Sequence, residues 1–296
     1  MTRLLLVLLL LGPSQEQPLP DRTNFLIEFQ VKRPGLITVL DGSSTWGLAA
    51  QYTYTEKVIE TTLDSKGSPK GSKTSVFEII PTRVPGFPYR RQIVKNGVPL
   101  TQKELERQDR KQEEETRKLE REVQKYAAEQ SAKQKVHPTP PPPPRTWRIE
   151  DSDLLMAADF QLVGRESIDG HPVILLTFKP NPGYKPRSDI GKMLQRASGR
   201  VWVSETDYEP VRLEAQLDEV ISFGMGFLAR IQPGSRGTFE RRKFNDEVWL
   251  PVRDDFTAKA KVLLVKGMHV QEVHEYTDHH KFAVDVRLKF QDPVEK

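Results

Sequence analysis

The chain has 296 residues, 45 Lys and Arg against 41 Asp and Glu, a formal net charge of +4 and no cysteine. Its length allows one or two domains, and a near balance of charge with no basic stripe interleaved with aromatics argues against a nucleic-acid partner. The missing cysteine excludes both a disulfide framework and a lipid-modified cysteine at the N-terminus.

In chain order, residues 1–3 are cationic, residues 4–11 are uninterrupted aliphatic, and Gly12 and Ser14 are small residues placed for cleavage after Ser14. That is the tripartite pattern of a secretory signal peptide over residues 1–14, and the aliphatic run is far shorter than the roughly 20 residues of a membrane-spanning helix. The expectation is an exported protein, periplasmic or secreted, without a lipid anchor.

Residues 15–99 read as the first part of a β structure. The apolar stretch 25–40 is broken by Pro34 and Gly35 and allows only a short helix or strand. Residues 51–63, dense in Tyr and Thr with Val58 and Ile59, favour a strand and run into a Gly/Ser/Pro-rich turn at 64–72. Strands at 75–80 and 89–94 follow, closing at the turn dipeptide Asn96-Gly97.

Residues 100–137 read as a charged helix. Thr101 and Glu104 have the spacing of a capping box, and opposite charges recur four apart at Glu106/Arg110, Glu113/Arg117 and Glu114/Lys118. Its apolar residues are too sparse for a coiled-coil seam, so the segment 101–135 is expected to be solvated, or to meet a protein partner of the cell envelope. Residues 138–146 form a polyproline spacer without core-forming side chains.

Residues 147–292 read as the second part of the same β structure. A short helix at 153–158 precedes strands at 160–166 and 171–179 joined through Asp169-Gly170, a strong hairpin signal. A brief helix at 190–196 leads to strands at 199–204, 210–220, 238–244, 248–260 and 268–276. In these the alternation is regular: Val211, Leu213, Ala215 and Leu217 oppose Arg212, Glu214 and Gln216, while Phe256, Ala258, Ala260 and Val262 oppose Thr257, Lys259 and Lys261. Phe282, Val284, Val286, Leu288 and Phe290 alternate in the same way. About ten antiparallel strands with one greasy face predict a mainly β fold with helices. It is an antiparallel, unclosed, half-open β-barrel with a long exposed helix inserted between its two halves.

The polar residues offer no reaction. His274, His279 and His280 lie with Glu275 and Asp278 near a strand end, but adjacent histidines point apart and do not converge as metal ligands must. Ser68 sits in a loop tip rather than a nucleophile elbow, Gly224-Met225-Gly226 lacks the rest of a phosphate-binding fingerprint, and Glu205/Asp207 belong to a hairpin turn. The expectation is therefore no enzyme, no catalytic residue, no metal and no cofactor. The informative apolar segment is 221–231, ISFGMGFLARI, whose Phe223, Met225, Phe227 and Leu228 flank two glycines. It reads either as a flexible hydrophobic flap over a greasy ligand or as ordinary core lining.

The runs GRVWVSETDYEPVRLEAQL (199–217) and GSRGTFERRKFNDEVWLPVRDDF (234–256) resemble the outer-membrane lipoprotein-sorting superfamily typified by the periplasmic carrier LolA. There a Gly-x-Leu/Val-Trp-Ile/Val strand leads through a turn to a Pro-Val-Arg strand. The chain looks closest to exported proteins of acidobacterial type. The resemblance covers mainly residues 151–276 and implies an unclosed antiparallel barrel whose helices partly plug a hydrophobic concavity for acyl chains; the charged helix and polyproline spacer depart from it. The expected function is a periplasmic, non-enzymatic carrier of a lipid or lipoprotein acyl chain, with Val211, Leu213, Phe223, Met225, Phe227, Leu228, Phe256 and Val262 lining the cavity. The alternative is an envelope interaction or sensor module whose barrel is filled by its own side chains.

Overall fold

The computed structural model describes residues 18–32, 48–84, 87–134, 156–186, 189–223, 229–262 and 266–282. The expected signal peptide, the polyproline spacer, residues 224–228 and the alternation beyond Phe282 lie outside them.

A first helix, α1 (Arg22–Lys32), precedes strands β1 (Tyr52–Leu63), β2 (Pro69–Ile80), β3 (Tyr89–Lys95) and β4 (Val98–Pro99). Next come the long helix α2 (Gln102–Gln134), strands β5 (Ala158–Ile168) and β6 (His171–Pro180), and the short helix α3 (Asp189–Leu194). The remaining strands are β7 (Ala197–Ser204), β8 (Pro210–Leu217), β9 (Ile221–Phe223), β10 (Ala229–Ile231), β11 (Arg236–Phe244), β12 (Val248–Val262) and β13 (Lys266–Lys281). All pair antiparallel in one sheet ordered β4-β3-β2-β1-β13-β12-β11-β8-β7-β6-β5, with β10 on β12 and β9 on β10. Strands β4 and β5 stay unpaired with each other at the two edges, so the sheet curls without closing. The chain between those edges contains α2, which makes the helix an insertion between two halves of one sheet. The halves are stitched by β1 against β13, from Tyr52 opposite Lys281 to Thr62 opposite Val270.

Several expected boundaries move: β8 ends at Leu217 and not at residue 220, and β13 runs over Lys266–Lys281 where 268–276 was expected. Strand β2 starts at Pro69 and not at residue 75, because the register with β1 carries on past Gly71 and shrinks the turn, which Asp64 holds by accepting the Lys66 and Ser68 amides at 2.8 Å. The helix expected at 153–158 has already given way to β5 at Ala158, which pairs with Pro180.

Helix α2 begins at the anticipated capping box, with the Thr101 amide donating to Glu104 Oε2 at 2.8 Å. Its hold on the sheet is polar. Asp109 accepts Arg91 Nε and Nη2 and the Tyr89 hydroxyl, each at 2.9 Å, and Arg83 reaches Glu113 at 2.7 Å and Glu120 at 3.0 Å.

Register makes the two faces of the sheet chemically different. Across the convex face Arg212, Glu240, Arg253, Glu275 and Lys57 stand directly opposite one another on successive strands, an alternating-charge ladder that suits a solvated surface. On the concave face the same strands present Leu162, Leu176, Val201, Leu213 and Phe239 in one row. Against this row packs α1, an 11-residue helix of about three turns whose Phe25, Leu26 and Phe29 are buried with Phe160, Ile174, Leu176 and Val203. Asp21 caps α1 by accepting the Asn24 amide at 2.9 Å, and Arg22 Nε donates to the Phe160 carbonyl at 2.7 Å.

Candidate functional site

The second concave row decides where space is left. Phe160, Phe178, Gly199, Ala215, Gly237 and Phe256 are cross-strand partners from β5 to β12, so three small residues stand in line between aromatic rings. The rings lean onto the glycines. A Cβ on Gly199 would lie 2.9 Å from Phe178 Cε1 and 2.0 Å from the Glu214 carbonyl oxygen, and one on Gly237 would lie 2.7 Å from Phe256 Cδ1. Because the rings lie down where the partner has no side chain, the volume above the strands stays open.

The result is a cavity of about 250 Å3. Its wall takes Phe29 from α1, Met193 and Leu194 from α3, Val201 and Leu213 from the floor strands, and Ile221 and Ile231 from the β9–β10 hairpin. Apolar groups line it almost throughout, and it opens past Met193 and Phe256, which are 37% and 39% exposed. The volume lies just below the roughly 300–1,000 Å3 of small-molecule pockets, and greasy walls with few polar groups fit a hydrocarbon chain better than a polar metabolite.

At β12 the concave face turns polar. One residue past Phe239 in its row come Asp254, then His274. His274 Nδ1 meets Glu56 Oε1 at 2.7 Å and its Nε2 meets Glu272 Oε1 at 2.6 Å, while Arg90 Nε donates to Glu56 Oε2 at 2.5 Å. Burial opposes charge on both central groups, yet the bonds to Glu56 and Glu272 hold the imidazole above its ordinary value, and those from His274 and Arg90 hold the Glu56 carboxyl below its own. Burial pushes Asp254 up, against the Tyr276 hydroxyl it accepts at 2.7 Å, and pushes the Tyr54 phenol up to about 12. The strip is thus bonded to itself, and Phe256, edge-on to His274 with ring centroids 6.4 Å apart, marks its border with the cavity.

Leu213 and Phe256 line this cavity. Val211 is placed elsewhere and corrects the sequence reading: it is buried with Val173, Leu175, Trp202 and Trp249 in a separate cluster. The cause is a β-bulge. Trp202 pairs with Arg212 but Val203 pairs with Pro210, so Val211 is the extra residue and the alternation inverts across it. Phe223 ends β9 and Val262 ends β12, while Met225, Phe227 and Leu228 lie outside the described residues. Sequence reasoning missed Phe29, Phe160, Phe178, Ala197, Val201 and Phe239. Phe25 and Phe29, four apart after a capping Asp21, carried a signal; the glycine row carried none without the register. Among the described residues no group of three or more His, Asp or Glu is arranged to hold a metal ion, and no helix is long and apolar enough to cross a membrane.

No family model and no curated protein matches the chain. Among solved structures it is similar to an outer membrane lipoprotein-sorting protein domain from Vibrio parahaemolyticus, with 11% identity over 87% of this chain and 90% of that one and a TM-score of 0.28. It is also similar to a DUF1329 family protein from Desulfovibrio piger, with 11% identity over 91% and 95% and a TM-score of 0.27. A LolA superfamily protein from Nitrosomonas europaea gives 10% identity over 88% and 93% and a TM-score of 0.24. Likenesses with TM-scores this low carry no argument, and the unclosed antiparallel sheet and its site stand on the chain's own residues.

Proposed function

We propose that this protein is a periplasmic, non-enzymatic carrier that holds one acyl chain of a lipid or lipoprotein in the concave trough. The observation that carries the reading is the cavity of about 250 Å3 walled by Phe29, Phe160, Phe178, Leu213, Ile221 and Phe256. An acyl chain there would leave water along most of its length, at about 0.8 kcal/mol per methylene. Its polar end would emerge past Phe256 toward Glu272 and His274. The β9–β10 hairpin, which contributes Ile221 and Ile231, borders the opening, as a flap would.

Native mass spectrometry of protein purified from its own envelope, under conditions that keep bound lipid, tests this. Copurified single-chain mass or a lipoprotein acyl group is the expected result. A ligand-free spectrum, together with no response of the melting temperature to added palmitate, would overturn it and favour the second reading, a partner-binding module acting through the exposed face of α2.

A further inference from the structure

The two ends of the sheet are electrostatically unlike. At the end bearing the β5–β6, β7–β8 and β11–β12 turns the charges are matched: Arg165 with Glu205 at 2.6 Å, Arg242 with Asp169 at 3.0 Å, Lys243 with Asp207 at 2.8 Å and Lys281 with Glu247 at 2.6 Å. At the opposite end, formed by the β1–β2 turn and the extremities of β10, β12 and β13, Lys66, Lys70, Lys259 and Lys261 are exposed and make no ion pair among the described residues. Arg230, also exposed, stands directly opposite Lys261 in the register. The acids nearby include Asp64, whose Oδ1 accepts two backbone amides of its own turn and whose charge also acts on Lys70, and Asp218 and Glu219 in the β8–β9 turn.

The trough lies in this lysine-bearing half. Its lining comes from the start of β7 (Ala197), the end of β8 (Leu217), the β9–β10 hairpin and the stretch of β12 from Phe256 to Ala258. Around the same end stand large apolar side chains open to water: Met193, Val220 and Met268, at 37%, 38% and 40% exposure. Ala260 pairs with Met268 and with Ile231, so apolar groups on the concave side alternate along β12 with Lys259 and Lys261 on the other. Apolar groups ringed by cations, on a chain whose whole net charge is only +4, are the chemistry of a membrane-surface contact.

We propose that this end of the sheet docks on an anionic phospholipid surface, with Met193, Val220 and Met268 in the interface and Lys66, Lys70, Lys259 and Lys261 against the headgroups. The trough would then open toward the bilayer. The docking needs no cargo and stands apart from the acyl-binding reading.

The test is vesicle flotation of the mature chain with phosphatidylcholine alone and with phosphatidylcholine containing about one-third phosphatidylglycerol. Binding is expected to the mixed vesicles and to be released by raising salt to about 0.5 M. Lys259→Gln with Lys261→Gln should weaken it by about five-fold per lysine. Arg242→Gln at the ion-paired end, and Ala215→Phe in the trough floor, should bind as wild type, each variant first matched to wild type by circular dichroism. Equal binding to neutral vesicles, an Arg242→Gln loss as large as that of the lysine pair, or loss in Ala215→Phe would overturn the proposal. Retention on immobilised polyglutamate without vesicle binding would assign the lysines to an acidic protein instead and would also overturn it.

Discussion

Ala215 is the place to ask whether the trough is a binding site or unfilled core. It sits in the floor between Gly199 and Gly237, with the Phe178 and Phe256 rings leaning in from either side. Ala215→Phe adds on the order of 100 Å3 of close-packed ring, nearly half of the 250 Å3 cavity. If the space is open, burying the ring contributes up to about 1.5–3 kcal/mol. If the wall is already packed against itself, forcing the ring in costs about 1–3 kcal/mol. The two cases differ in sign. For the wild type, palmitate at a hundred times its Kd stabilises the folded state by about 2.7 kcal/mol. In a chain of this size that raises Tm by about 5–10 °C. Thermal melts by circular dichroism, for both proteins with and without palmitate, therefore separate the possibilities. The expected result is a wild type that responds and a variant that is at least as stable without ligand and unresponsive to it. A variant that melts several degrees lower, beside a wild type indifferent to palmitate, would mean a self-filled barrel. A variant that keeps the full palmitate shift would put the acyl site elsewhere.

Gly199→Ala should cost about 3 kcal/mol or more, because its Cβ would meet the Glu214 carbonyl at 2.0 Å and backbone cannot yield. Gly237→Ala meets only the half-exposed Phe256 ring and should cost under about 1.5 kcal/mol; equal urea midpoints for the two would refute the distinction. Glu209→Gln should cost about 3–5 kcal/mol by removing the carboxylate charge that faces Arg241 at 3.4 Å, since both side chains are 2% exposed, whereas Glu209→Leu with Arg241→Met should recover most of the loss in the same assay. His274→Asn tests the β1–β13 stitch through pH. The raised imidazole contributes below its ordinary 6.5 and loses its contribution as pH rises through its folded value; the lowered Glu56 contributes above its ordinary 4.5 and loses its contribution as pH falls through its folded value. The gap in stability between wild type and His274→Asn should therefore be widest at about pH 4.5–6.5, and a gap that does not change with pH would refute the ionic origin.

Strand existence was legible because alternation is a local property. Leu213, Ala215 and Leu217 announce their shared face from spacing alone, and Asp169-Gly170 announces its hairpin, with Asp169 at φ 50° and Gly170 at φ 83°. Val211 was not legible, since one bulge opposite Trp202 and Val203 inverts the parity that spacing assumes. Strand β6 shows a different failure of alternation: Val173, Ile174, Leu175 and Leu176 are all buried, because the core under α1 takes Ile174 and Leu176 while Val173 and Leu175 face the Trp202 and Trp249 cluster. The end-to-end contrast in charge was hidden for the opposite reason. Arg165 and Glu205, or Lys281 and Glu247, are far apart in the chain, and composition counts them without recording that they meet.

The trough itself depends on register more than on residue type. Gly199, Ala215 and Gly237 belong to three strands and have nothing in common as sequence positions, yet pairing puts them in one line. A slip of one residue anywhere between β7 and β11 would replace that line by Arg200, Glu214 or Arg236 and close the space with charge. The convex ladder opposes such a slip. A shift between β8 and β11 would move Arg212 from opposite Glu240, ending a contact of 3.8 Å, and one between β12 and β13 would likewise end the 3.3 Å contact of Arg253 with Glu275. Each exposed pair is worth at most about 1 kcal/mol. Their role is therefore better understood as holding one register against its neighbours than as stabilising the fold, and it is that register which keeps the opposite face hollow.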